Sequence, residues 1–128
     1  MKFHNLTWKQ TKLQSKDLFH WKLGRQKTGY EIFIFLLNPL FIPFHVLIIR
    51  YKVGSKVPPH KDQATEGTKH YRLNIIIRES KIGGEFLCEK MIYESRRIKF
   101  FRADLYKHEV TEVKDRARYV FSIGWVIK

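Results

Sequence analysis

Cysteine is almost missing from this chain. With Cys88 alone among 128 residues, an internal disulfide is excluded, and a reducing, cytoplasmic location is the expectation. A nucleophilic role for Cys88 is not favoured, because no His/Asn partner pattern accompanies it, and it reads as a strand side chain. Acidic residues are few: 12 Asp and Glu face 25 Lys and Arg, a formal charge of +13. An excess of that size attracts nucleic acid, anionic lipid or acidic protein. The cations are nevertheless scattered, with no compact basic arm or Arg-rich helix, so nucleic acid stays a candidate partner and no more.

Long uninterrupted hydrophobic runs are lacking too. Residues 32–49, IFIFLLNPLFIPFHVLII, come nearest to the length of a membrane span. Asn38, Pro39, Pro43 and His45 interrupt them, and two strands, Glu31–Leu37 and His45–Val53, joined by a Pro-containing turn are expected in place of a span. Met1 to Gln10 is polar and basic without an apolar centre, so no secretory leader and no membrane association are expected.

What the chain does have is aromatic and β-branched residues: 44% hydrophobic and 15% aromatic is a globular composition. One domain over 1–128 is expected, with 1–29 as an N-terminal extension and 30–128 as its core. Ser15 and Asp17 leave room for one short helix running through Phe19 to Leu23. From Tyr30 onward, runs rich in Ile, Val, Phe and Tyr fall at 31–37, 45–53, 70–78, 84–89, 91–94, 97–101, 107–113 and 117–127. Turn chemistry such as Asn38-Pro39, Gly54-Ser55 and Gly83-Gly84 separates them. About eight short strands at this spacing predict a mainly β sandwich or barrel.

The stretch YKVGSKVPPHKD, Tyr51 to Asp62, carries the chemistry. Alternate residues of a strand share a face, so His60 and Asp62 can aim an imidazole nitrogen and a carboxylate oxygen at one point. A further histidine would complete two His and one carboxylate with open positions opposite, the donor set of non-haem Fe(II) oxygen chemistry. His108, in DLYKHEV, is the first choice because Arg118 follows it ten residues later on a final strand. His70 is the competitor, and no Arg-bearing strand follows it in that way. Asp104 suits the turn before His108 rather than a metal. Arg118 shares its strand with Val120 and Ser122, and a guanidinium buried there requires an anion.

The order of these parts resembles the Fe(II)/2-oxoglutarate-dependent dioxygenases. From Tyr51 to Trp125 the chain looks like the prolyl hydroxylases and the aspartyl/asparaginyl β-hydroxylases. The residues that carry the likeness are His60-x-Asp62, Arg72-Leu73-Asn74, the phrase Phe101 to Val110 around His108, then Arg118 and Trp125. The resemblance implies a double-stranded β-helix, a cupin-like jelly roll. It implies His60, Asp62 and His108 as Fe(II) ligands, with Arg118 (beside Ser122) on the distal carboxylate of 2-oxoglutarate and Tyr51, Arg72 and Asn74 as further cosubstrate contacts. The implied reaction hydroxylates a substrate, a protein side chain being favoured, and releases succinate and CO2, with ascorbate as a candidate reductant. The asparaginyl type lacks the carboxylate supplied by Asp62, and the helices that buttress such jelly rolls are nearly absent, which makes a homo-oligomer a candidate. Two rival readings stand beside it: a basic nucleic-acid-binding β-barrel with exposed tyrosines such as Tyr71, Tyr93 and Tyr119, and a cupin-like protein that binds metal without catalysis.

Overall fold

A computed structural model describes residues 18–24, 28–39, 43–62 and 64–128. Among these residues ten strands follow one another: β1 (Trp21–Leu23), β2 (Glu31–Leu37), β3 (Phe44–Tyr51), β4 (Val57–His60), β5 (Lys69–Arg78), β6 (Phe86–Cys88), β7 (Tyr93–Glu94), β8 (Ile98–Arg102), β9 (His108–Val110) and β10 (Arg118–Ile127). They form a seven-stranded sheet in the order β1-β2-β3-β10-β5-β8-β7 and a three-stranded sheet in the order β4-β9-β6. Named strand pairs are antiparallel throughout. Counting from β3, the larger sheet takes the first, eighth, third and sixth strands and the smaller takes the second, seventh and fourth. That alternation between two sheets is the jelly-roll, double-stranded β-helix arrangement.

The strands form because their sequences alternate. In β3, FHVLIIRY, every second side chain from His45 to Tyr51 is buried, and β10 alternates the same way from Arg118 to Val126. A period of two buries one face and leaves the other half-open. The buried row of Ile32, Ile34, Leu47, Ile49, Tyr51, Ile76 and Val120 meets Val57, Val110 and Phe86 of the smaller sheet. That contact closes the barrel and sets its bore.

Two features depart from the sequence reading. Where a helix is expected through Phe19 to Leu23, Trp21–Leu23 is a strand paired with Glu31–Phe33; Ser15 and Asp17 lie outside the described residues. The physical reason is local: Trp21 packs edge-on against Phe33, 5.4 Å between centroids, and the Arg50 guanidinium lies 3.9 Å over its ring. One helical turn offers no comparable burial. The run at 91–94 also contracts to two residues, Tyr93 and Glu94, which extend the larger sheet at β8. Among the described residues no helix is long and apolar enough to cross a membrane.

One glycine is required by close approach. Gly124 of β10 faces His45 of β3 in register, and a Cβ there would collide with the imidazole ring. Gly124→Val is expected to destabilise the protein by about 1–3 kcal/mol, the usual range for overpacking a core. Urea unfolding of the variant measures it, and an unchanged midpoint would contradict the packing described.

Candidate metal centre

The smaller sheet brings the three predicted ligands together. His60 ends β4 and His108 begins β9, and the two are register partners with ring centroids 4.4 Å apart. Asp62 lies two residues beyond the end of β4, where its backbone N–H donates to Ala103 O at 2.9 Å. The parity argument therefore holds although the strand stops at His60. Asp62 Oδ1 lies 3.3 Å from His60 Nε2 and 3.8 Å from His108 Nε2. One ligand atom from each of the three residues falls within 4.8 Å of the others.

The second nitrogen of each ring is already engaged. His60 Nδ1 lies 2.9 Å from Pro58 O, and His108 Nδ1 lies 3.0 Å from Tyr106 O. A carbonyl only accepts, so Nδ1 of each ring is the donor there, and Nε2 is the nitrogen turned toward Asp62 and left for a metal. Metal-binding histidines are oriented in this way. The residues present therefore fit a divalent transition metal, and two imidazoles with one carboxylate suit non-haem Fe(II).

Charge around the site is balanced by the larger sheet. Arg72 on β5 donates from Nη2 to Asp62 Oδ2 at 3.2 Å and from Nη1 to Ser122 Oγ at 2.9 Å, and its Nη1 lies 3.0 Å from His45 Nε2. Ser122 Oγ in turn donates to Asn74 Oδ1 at 2.6 Å. Burial alone would raise the Asp62 carboxyl, but the His60 hydrogen bond and the Arg72 charge outweigh it and hold the group well below the usual carboxylate range. Burial pushes His108 down to about 4, with Asp62 pulling the other way. It likewise lowers His70 to about 4 and takes His45 well below the ordinary histidine value.

The other predicted residues divide between two cavities. Tyr51, Arg72 and Asn74 line a cavity of roughly 120 Å³ together with His60, Asp62 and His108. Ser122 is fully buried and reaches that network through its bonds to Arg72 and Asn74. Arg118, expected on the carboxylate of a metal-bound cosubstrate, borders a different cavity with Glu79, Ser80 and Lys99. Its Cζ lies 5.1 Å from the ring centroid of Tyr51, which lines the metal cavity, and the two side chains are hydrogen-bonded. Strand parity explains this: Arg118 pairs with Tyr51 at the end of β10, four residues from Ser122, so both point inward at different depths. Asp104 takes the turn position expected of it, accepting from His70 N and from the Arg102 guanidinium.

His70 approaches the site without joining the triad: its Nδ1 lies 3.7 Å from Asp62 Oδ2, the oxygen turned away from His60 and His108. His45 is the residue the sequence reading passed over. Its signal was available, since it shares parity with Leu47, Ile49 and Tyr51 and stands opposite a glycine.

No family model and no curated protein matches the chain. Among solved structures, a chain of the Rhodobacter sphaeroides SigE complex with the anti-sigma ChrR is similar, with a TM-score of 0.51 and 15% identity. The match covers 91% of this chain and 54% of that one, so this chain spans about half the length of the neighbour. At that identity the likeness is one of fold.

A pH dependence follows for the metal-free protein. His70 and His108 titrate near 4 when folded and near 6.5 when unfolded. The unfolded chain therefore binds more protons between those values. Stability is expected to be full above about pH 6.5 and to fall as pH drops toward 4. Denaturant midpoints across that range measure it, and a flat profile would contradict the burial of these rings as neutral species.

Proposed function

We propose that this protein is a cupin-type metal-binding protein in which His60, Asp62 and His108 hold one divalent transition metal, with Fe(II) the ion that best suits the donors. The observation that carries this is the convergence of three ligand atoms within 4.8 Å, two of them on imidazoles whose opposite nitrogens are tied to backbone carbonyls. Bound there, the ion would supply Lewis acidity and redox chemistry at open coordination positions. The chain's own contribution is orientation and charge. His60 and His108 present Nε2, Arg72 anchors the outer oxygen of Asp62, and Phe101 packs 4.9 Å from the His108 ring.

Metal binding is tested with the whole chain by anaerobic Fe(II) titration, with Co(II) as a stable probe. One ion per chain is expected, and His60→Ala or His108→Ala should each weaken it at least a hundredfold. Unchanged affinity in either variant would remove that residue from the site. At a hundredfold excess over Kd the metal should raise stability by about 2.7 kcal/mol.

Arg72 tests the electrostatics. Arg72→Met leaves Asp62 buried beside no formal cation, and breaking such a pair costs about 3–5 kcal/mol. The variant should lose about that much stability when metal-free and recover more than the wild type on adding metal. Equal metal increments in the two proteins would contradict the role given to Arg72.

A second reading, a 2-oxoglutarate-dependent oxygenase acting on a protein side chain, is favoured by one observation: Tyr51, Arg72 and Asn74 share the triad's cavity. Incubation with Fe(II), ascorbate and 2-oxoglutarate separates the two readings. Succinate above a His108→Ala control supports the oxygenase; tight metal binding with no succinate supports a binding or regulatory module.

A further inference from the structure

The outward face of the seven-stranded sheet is at least as apolar as the face that lines the bore. Register carries one row of side chains straight across six strands: Trp21, Phe33, Ile48, Phe121, Ile75 and Ile98. The next row holds Val46, Ile123, Leu73, Phe100 and Tyr93. A third holds Phe44, Trp125 and Tyr71, and Arg102 ends it. None of these side chains is buried, because the three-stranded sheet packs on the opposite face. Tyr71, Phe100 and Trp125 stack on one another, with ring centroids 5.8 to 5.9 Å apart.

An antiparallel sheet with one face in water alternates apolar-in with polar-out. β3, β5 and β10 break that rule, since Val46, Ile48, Leu73, Ile75, Phe121 and Ile123 stand where polar residues belong. Strands apolar on both sides suit a sheet held between two layers. With strands about 4.8 Å apart and same-face rows about 6.8 Å apart, the patch measures roughly 500 Å² in plan. Exposed Phe35, Leu36 and Ile127 enlarge it. That is of the order of the roughly 800 Å² which each partner brings to a standard interface.

Charge selects the occupant. The chain has 25 Lys and Arg, yet the three rows carry only Arg102, which Asp104 holds at 2.9 Å. Nucleic acid and anionic bilayers are gripped by cations at the contact, and this face withholds them. Two copies of a +13 chain repel wherever their cations meet, so a face without charge is where they can approach. A row of Glu31, Arg50, Tyr119 and Arg78 borders the patch as a polar rim. The 17 residues that precede Leu18 are too few to replace a second copy. Wound as one helix they would cover about 25 Å by 10 Å, half of the patch.

We infer that this face is the interface of a homodimer, two copies packing sheet on sheet about a two-fold axis. Tyr71, Phe100 and Trp125 are its aromatic anchors. The interface lies on the side of the sheet away from the bore, so it neither requires metal nor blocks the metal centre.

The test is the mass of the full-length, metal-free protein in solution, by sedimentation and light scattering at micromolar concentration. A dimer is expected, and it should persist in molar sodium chloride, which screens charge but not apolar contact. Ile123→Lys, which sets a cation between Val46 and Leu73, should weaken association at least a hundredfold. If that variant fails to fold by amide NMR, the double variant Phe35→Lys, Tyr93→Lys serves, both positions being exposed. It should weaken association at least tenfold. A monomeric wild type overturns the inference, and ring-to-ring NMR contacts from Trp8 to Trp125 in that monomer would give the face to the N-terminal segment instead. Dissociation of the wild type by salt, or wild-type association in a folded variant, overturns it equally.

Discussion

The pairing of β4 with β9 is the constraint on which the rest of the site depends. His60 and His108 lie 48 positions apart along the chain, yet antiparallel register makes them direct partners on one face of a three-stranded sheet. A slip of one residue would turn one imidazole outward. Register is held by Val57 opposite Val110, both buried in the core, and by Asp62 N–H on Ala103 O just beyond the pair. The metal centre is thus a consequence of hydrophobic packing: the side chains that fill the bore also set the ligands.

The larger sheet completes the site by charge. Arg72 reaches across the bore to Asp62, and Ser122, Asn74 and His45 fix the guanidinium in turn. A buried carboxylate is tolerated because that cation stands beside it, and the His108 imidazole stays neutral because burial resists its protonation. Both effects leave Asp62 and His108 in the deprotonated forms that metal binding requires. Tyr51 lines the same cavity and carries the Arg118 guanidinium beside its ring.

Much of this was legible in the sequence. Alternation of Ile, Val and Phe marked β2, β3, β5 and β10, the long strands whose signals are strongest, and Pro58-Pro59 did not hide the ligand pair that follows them. His60, Asp62 and His108 could be picked out because each lies at a strand end beside residues of clear periodicity. What could not be read was depth. Arg118 and Arg72 both sit on inward parity, but whether a guanidinium reaches Asp62 or stops beside Tyr51 depends on how far along the bore its strand position falls. That distance is set by register between strands and leaves no trace in local pattern. His45 was missed for a related reason, since its partner Gly124 lies 79 residues away. The three-residue β1 was misread because its pairing with β2 outweighs a helical preference too brief to express itself.

The most direct measurement is the first coordination sphere of the metal-loaded protein, obtained anaerobically from a crystal grown with Fe(II) or Co(II). The account predicts one ion bound through Nε2 of His60, Nε2 of His108 and a carboxylate oxygen of Asp62, with Arg72 still on the other carboxylate oxygen. An ion held by any other set of side chains, or no ion at all at saturating metal, would contradict it.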